Sequence, residues 1–361
     1  MAGLLLYCRS GFENDVANEV QAKASELEVF GYAKTSANSA FVVFDCYQDE
    51  QAELLAKDLP FNDLIFARQQ FAFQALVENM DLADRISAIL QACVDFPLCG
   101  ELRVEYADTS EGRELSKFCR KISVPLRQAL RKKNKLVAKD NANKPVLHVF
   151  FTSNDRAYIG YSFTNNNSSL PLGIMRLKFP HAAPSRSTLK LDEAFQTFIP
   201  KDQHPVRLQG GLQAVDLGAC PGGWTYQLVQ RGMFVQAVDN GAMDEALMET
   251  GQVTYCAEDG FKFIPRKKNV YWLVCDMIEQ PQRVAKLIAT WVAQERCKEA
   301  MFNLKLPMKK RYESVQGALA IIEQVMQDNQ AGPYELQAKH LYHNREEVTV
   351  HLRLANSKPP R

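Results

Sequence analysis

One stretch limits what this chain can fold into more than any other: Leu212-Gln-Ala-Val-Asp-Leu-Gly-Ala-Cys-Pro-Gly-Gly-Trp224. A short apolar run around Ala214 and Val215 reads as a buried strand and ends in the carboxylate of Asp216. Gly218, Cys220, Pro221, Gly222 and Gly223 make a turn of small residues, and Trp224 to Arg231 follow as a helix start. Strand, tight glycine turn and helix are how an open α/β sheet presents backbone N–H groups to a ligand at the carboxyl ends of its strands. The glycines do not follow G-x-G-x-x-G, and the acid precedes them, which argues against a dinucleotide pyrophosphate. The turn suits a ligand that lies close to the backbone and carries both a positive charge and an anionic end.

At 361 residues the chain has room for two or three domains. Its 24% charged and 46% hydrophobic residues match a soluble globular protein. No apolar run reaches the length of a membrane span, and the N-terminal residues lack a signal-peptide layout. Nine cysteines without a C-x-x-C pair read as reduced thiols, so a cytoplasmic location is expected. Cys8, Cys46, Cys256 and Cys275 sit in apolar runs as small buried hydrophobes. His340 and His343 have no nearby cysteine partners, and no metal site is expected.

The net charge of +1 is spread unevenly. Residues 1–112 hold 7 Lys/Arg against 19 Asp/Glu, a net of −12, whereas residues 113–144 hold 11 against 2, a net of +9. A stripe that basic inside an acidic half is the electrostatic footprint expected for nucleic-acid phosphate; a solvated helix face is the ordinary alternative. Leu115, Phe118, Ile122, Leu126 and Leu130, spaced 3, 4, 4 and 4 apart, form a core stripe over a helix at 113–130. Arg120, Lys121, Arg127, Arg131, Lys132, Lys133 and Lys135 provide the candidate RNA contacts, and Pro125 is expected to kink or split the helix.

The first 60 residues alternate strand and helix patterns, with Leu4–Tyr7 and Phe41–Phe44 as strands and Val16, Val20 and Ala24 on one helix stripe between them. Such a unit resembles half of a ferredoxin-like sandwich. Over 61–163 the strand candidates are Leu64–Phe71, Leu102–Tyr106, Val146–Phe151 and Ala157–Phe163, with a helix at Leu82–Cys93. Residues 164–184, rich in Asn, Ser and Pro, read as a linker. From 185 to 361 strands and helices alternate strictly, which predicts a mainly parallel sheet. Its strand candidates after the first are Met233–Asp239, Val253–Asp259, Val270–Asp276, Ala300–Lys305, Tyr334–Leu341 and Val348–Leu352. The last two are too close in sequence for a helical crossover, so they are expected to form an antiparallel pair at one end of the sheet. Asp216, Asp239, Asp259, Asp276 and Lys305 end five strands in turn, and one crevice at the sheet edge would gather them.

The turn at 216–224 resembles the S-adenosylmethionine loop of the FtsJ-type ribose 2′-O-methyltransferases, which share a Lys–Asp–Lys–Glu tetrad. Ser185-Arg-Ser-Thr-Leu-Lys190 resembles the segment with the first lysine, Val274-Cys-Asp276 the aspartate, Phe302-Asn-Leu-Lys305 the second lysine, and Arg345-Glu-Glu347 the glutamate, either Glu347 or Glu346. The first half, through Tyr7-Cys-Arg-Ser-Gly-Phe-Glu13 and the basic helix, is similar to THUMP-type RNA-binding domains. Across the whole chain the combination resembles bacterial enzymes that methylate the ribose of a cytidine in 23S rRNA. The resemblance implies a Rossmann-like methyltransferase sheet with an N-terminal α+β ferredoxin-like and THUMP region. It also implies S-adenosylmethionine as cofactor and 23S rRNA as partner, free or in an early assembly particle. No membrane and no obligate protein partner is expected.

On that resemblance Lys305 is the general base, Lys190 its tuner or clamp, and Asp276 and Glu347 orient both. Asp239 would accept the adenosyl ribose hydroxyls and Asp259 the adenine amino group. Cys220, Pro221, Gly222 and Gly223 would let the backbone lie against the methionine part, with Asp216, Gly218 and Trp224 as further cofactor contacts and Asp276 serving both cofactor and catalysis. Ser187 would touch the cofactor, with helix N-capping as the equal alternative. The chain lacks the D/N-P-P-Y/F/W strand end of base N-methyltransferases and the Pro-Cys or Thr-Cys of cytosine C5-methyltransferases. A non-catalytic RNA-binding assembly factor, or 2′-O-methylation of another structured RNA such as tRNA, are the competing functions.

Overall fold

The computed structural model describes residues 2–265 and 269–355. The chain divides into two compact units, Met1–Ile174 and Met175–Arg361. In the first it runs β1 (Gly3–Tyr7), α1 (Glu13–Glu26), β2 (Gly31–Thr35), β3 (Phe41–Cys46), α2 (Gln51–Asp58), β4 (Gln69–Val77), α3 (Arg85–Ala92), β5 (Glu101–Tyr106), α4 (Ser110–Glu114), α5 (Ser116–Lys132), β6 (Val146–Ser153) and β7 (Arg156–Ser162). All these strands join one sheet in the order β2-β3-β1-β4-β7-β6-β5. Residues on both sides of position 60 therefore share a sheet, through the antiparallel β1–β4 pair.

The run Leu64–Phe71 is not the expected strand; β4 begins only at Gln69. The cause is tertiary. Glu19 of α1, 1% exposed, accepts hydrogen bonds from the backbone N–H groups of Ile65 (2.6 Å) and Phe66 (3.0 Å). Those groups are satisfied without a ladder partner. Strand β2, with Gly31, Ala33 and Lys34, has little β-forming composition and exists because it pairs along β3. Pro125 neither splits nor ends α5, which is continuous through it, while the helix boundary falls at Leu115. Pro125 lies on the exposed side, where the carbonyl it leaves without a donor can be solvated. The Asn-rich stretch is bonded to the first unit: the Asn166 amide donates to the carbonyls of Ala56 and Leu59, both at 2.9 Å. Gln69 Nε2 donates to the Ser168 carbonyl at 2.9 Å.

The second unit runs α6 (Thr188–Phe198), α7 (His204–Arg207), β8 (Gln213–Leu217), α8 (Gly223–Val229), β9 (Phe234–Val238), α9 (Glu245–Glu249), β10 (Val253–Cys256), β11 (Val270–Cys275), α10 (Pro281–Ala293), β12 (Glu299–Lys305), α11 (Arg311–Asp328), β13 (Tyr334–Lys339) and β14 (Glu347–Leu354). Its sheet has the order β10-β9-β8-β11-β12-β14-β13. β14 alone runs opposite to the other six strands, as the short β13–β14 connection requires. The order reverses between β8 and β11, which opens a crevice at their carboxyl ends. Of the stripe Val284, Leu287, Ile288, Trp291 and Val292 that the spacing predicts, all are buried except Leu287, which is partly exposed. Trp272 and Phe195 meet edge-on in the core at 5.1 Å. No helix among the described residues is long and apolar enough to cross a membrane.

At the amino end of β12, Glu299 is fully buried among polar partners. It accepts from Arg207 Nε (2.8 Å), Tyr271 Oη (2.7 Å) and His351 Nε2 (3.0 Å), and Arg207 also reaches its second oxygen. This knot fastens α7, β11, β12 and β14 at the end of the sheet away from the crevice.

Candidate active site

The antiparallel direction of β14 is what assembles the site. It sets Glu347, the first residue of β14, directly opposite Lys305, the last of β12. Asp276 follows immediately after β11, the strand next to β12, and Lys190 stands in the first turn of α6. Lys190 Nζ lies 2.6 Å from Glu347 Oε1 and 3.3 Å from Asp276 Oδ2. Lys305 Nζ contacts Asp276 Oδ1 and lies 3.9 Å from Glu347 Oε2. Two ammonium groups thus share two carboxylates. Glu347 is 6% exposed, whereas Glu346 is exposed and pairs with Arg311 at 2.9 Å. Neighbouring residues in a strand point to opposite faces, so Glu347 alone meets the lysines. Burial disfavours the Lys190 ammonium, but the Asp276 and Glu347 carboxylates outweigh it and raise its pKa above the ordinary lysine value.

Beside the tetrad lies a cavity of about 430 Å³, within the range of small-molecule sites. Gly218, Cys220, Asp239, Asp259 and Asp276 all line it, as does Glu258, which the sequence reading did not single out. Asp239 directly follows β9 and accepts from the backbone N–H groups of Cys220 (2.9 Å) and Gly241 (3.0 Å). Strand β10 stops at Cys256, earlier than expected. Asp259 therefore sits in a turn beyond it, where its Oδ1 accepts from Phe261 N–H at 2.9 Å.

Other expected cofactor residues do not line the cavity. Asp216 lies inside β8, 1% exposed. Its Oδ2 accepts from Thr225 Oγ1 at 2.7 Å, and its Oδ1 has no partner among the described residues. Burial pushes its pKa up to about 7, against the Thr225 hydrogen bond. Trp224 is 3% exposed in the core. The Pro221 carbonyl accepts from Asp244 N–H at 3.0 Å. Gly222, at φ +118°, turns the chain into α8. Ser187 occupies the N-cap position of α6 without a capping bond. It bonds Ser185 instead, and a Cβ on Gly223 would come within 2.1 Å of its hydroxyl. None of these six positions lines the cavity, and Gly223 packs against Ser187 at the start of α6.

Gly218 is held by both conformation and space. Its φ is +79°, and an added Cβ would lie 2.7 Å from Met277 Cγ and 3.2 Å from the Met277 backbone. Gly218→Ala is expected to cost about 1–2 kcal/mol through the left-handed conformation alone and to narrow the cavity. Thermal melts and a ligand titration on the variant check both effects.

Along α5 and the turn that follows it, the cations separate into two sets. Lys135 Nζ donates to the carbonyls of Val94 (2.6 Å) and Phe96 (2.9 Å), Arg131 Nε to that of Val137 (3.0 Å), and Arg127 pairs with Asp140 (3.0 Å). Arg120, Lys121, Lys132 and Lys133 are exposed, and their side chains have no hydrogen-bond or ion-pair partner among the described residues.

The sequence reading missed Asn303, Thr349 and Asn344, all fully buried next to the tetrad. The period-two spacing of 303 to 305 and of 347 to 349 was the available signal.

Three family models match the chain: RlmM ferredoxin-like domain over residues 1–71, Ribosomal RNA large subunit methyltransferase M, N-terminal, over 84–163, and FtsJ-like methyltransferase over 183–307. Several curated proteins named Ribosomal RNA large subunit methyltransferase M are similar over nearly their whole length. The one from Pseudoalteromonas atlantica is 69% identical over 354 residues, 98% of this chain and 99% of that protein. The one from Photobacterium profundum is 56% identical over 360 residues, the whole of both chains. That from Shewanella halifaxensis is 54% identical over 359 residues, 99% of this chain and 100% of that protein.

Proposed function

The chain belongs to the ribosomal RNA large subunit methyltransferase M family, and from that premise we propose that it methylates the ribose 2′-oxygen of a cytidine in 23S rRNA. The observation that carries this reading is the Lys190–Asp276–Lys305–Glu347 cluster opening onto the 430 Å³ cavity, with Asp276 common to both. S-adenosylmethionine, when bound, would supply a methyl group on a positively charged sulfur, which would leave as a neutral thioether as its bond to the methyl carbon breaks. Asp239 and Asp259 offer acceptors for ribose hydroxyls and an adenine amino group, and Gly218 and Cys220 let the backbone lie against the methionine part.

A ribose 2′-hydroxyl becomes a competent nucleophile only as it loses its proton. In this reading Lys305 Nζ takes that proton as the oxygen gains the methyl carbon. Lys305 acts in this step as the free amine, whose lone pair takes the proton. Lys190 stays protonated, held so by both carboxylates. Asp276 and Glu347 fix the two lysines around the acceptor oxygen.

Mapping of 2′-O-methyl groups on 23S rRNA after incubation with the protein and S-adenosylmethionine tests this. One modified cytidine ribose is expected; a methyl on a base, or none, would overturn the reading. Running it on naked rRNA and on assembling particles identifies the substrate form.

Binding to RNA should rest on the exposed cations of α5. Changing Arg120, Lys121, Lys132 and Lys133 together to glutamine is expected to weaken binding and to flatten the slope of log K against log salt by about 3. Lys135→Ala should instead lower the melting temperature, because that ammonium secures two loop carbonyls. An unchanged salt slope in the quadruple variant would remove α5 from the interface.

A further inference from the structure

Beneath the tetrad lies a second, fully buried polar layer. In the β12–β14 ladder Lys305 faces Glu347, and two residues inward Asn303 faces Thr349. Residues two apart in a strand share a face, so Asn303 and Thr349 sit directly behind the lysine and the glutamate. Their strand neighbours Phe302, Leu304, Val348 and Val350 are buried apolar residues of the opposite face.

The shortest bonds of this layer line up toward Asp276, while Thr349 Oγ1 also lies 3.3 Å from Asn344 Oδ1. Asn344 Nδ2 donates to Thr349 Oγ1 at 2.9 Å, Thr349 Oγ1 donates to Asn303 Oδ1 at 2.7 Å, and Asn303 Nδ2 donates to Asp276 Oδ1 at 2.8 Å. With its oxygen occupied by Thr349, the Asn303 amide can present only its NH₂ to the carboxylate. Asp276 is thereby held with Oδ1 toward Lys305 and Oδ2 toward Lys190. Asn303, Thr349 and Asn344 are each fully buried. Buried amides and hydroxyls are costly unless satisfied and rarely outperform apolar packing for stability. A line of three ending on Asp276 is therefore built for its orientation.

We propose that Asn303 is a positioning residue for methyl transfer, held by Thr349, and that it fixes the Asp276 carboxylate so that one oxygen serves each lysine. The proposal rests on the catalytic reading of the tetrad. Asn303 touches neither reactant; it acts through Asp276.

Asn303→Ala is expected to lower kcat about 100-fold, the scale set by misplacing a reacting group by about 1 Å. The KM for S-adenosylmethionine and the affinity for rRNA should stay within a factor of about three. Thr349→Val, which removes only the anchoring hydroxyl, should give a smaller loss confined to kcat, and Thr349→Ser should restore it. If Asn303→Ala fails to fold, the Val and Ser pair at 349 still decides the matter. Wild-type kcat in folded Asn303→Ala or in Thr349→Val would overturn the proposal, as would a loss that appears in KM or that serine does not rescue. Lys305→Ala is measured alongside. An inactive Lys305→Ala beside a fully active Asn303→Ala refutes the positioning role alone, whereas turnover by Lys305→Ala refutes the catalytic reading itself.

Discussion

Lys305→Ala is expected to abolish methyl transfer to rRNA, a loss of at least about 10²–10⁴-fold if the residue is the general base. The fold should survive. Asp276 keeps hydrogen bonds from Asn303 (2.8 Å) and Lys190 (3.3 Å), and Lys305 is partly exposed at the end of its strand. S-adenosylmethionine affinity should change little, because Lys305 is not on the cavity wall. Lys305→Arg adds a sharper test. It retains positive charge but cannot act as a base at any workable pH, so it should be as inactive as alanine. If arginine restores turnover, the side chain works by charge and not by accepting a proton. Single-turnover assays on the purified variants, with calorimetric measurement of cofactor binding, separate these outcomes.

Glu299→Ala should produce the largest loss of stability. The carboxylate is fully buried and holds Arg207, Tyr271 and His351 together. Removing one partner of a buried pair leaves an uncompensated charge, here the Arg207 guanidinium, at a cost of about 3–5 kcal/mol. Equilibrium urea unfolding of the variant against the parent measures it. The same knot makes stability depend on pH. Burial works against the Glu299 carboxylate, but hydrogen bonds from His351 and Arg207 prevail and hold its pKa to about 2. In the unfolded chain a glutamate titrates near about 4.3. A depressed folded pKa contributes stability that is present above the unfolded value and is lost as pH falls from about 4.3 toward about 2. Glu299→Gln should remove this part of the acid limb in unfolding curves taken from pH 6 downward. An unchanged limb would assign it to other carboxylates.

The sequence alone carried the alternation of strands and helices in residues 185–361, most of the buried stripe of α10, and the antiparallel pair at the end. Each is a local pattern: a period, a turn or a connection length. It also carried Lys190, Asp276 and Lys305, whose surroundings resemble a family motif residue by residue. Its failures have local causes too. Val253–Asp259 has strand-like composition, but β10 has a partner only as far as Cys256, so Asp259 became a turn residue. Leu64–Phe71 looked like a strand until Glu19 supplied the hydrogen bonds that a ladder would have made.

Tertiary structure decided what spacing along the chain does not contain. The choice of Glu347 over Glu346 depends on the β12–β14 register, because a shift of one residue reverses which side of the sheet a side chain occupies. The division of the α5 cations depends on which of them find carbonyls or an acid to hold. Asp216, Pro221, Gly222, Gly223 and Trp224 have the composition of a ligand loop, yet only Gly218 and Cys220 of that turn reach the cavity. The rest pack it in place. The turn at 212–224 thus names its own fold from local chemistry, while the partners of each side chain come from strands distant in sequence, which only the folded sheet brings within hydrogen-bonding distance.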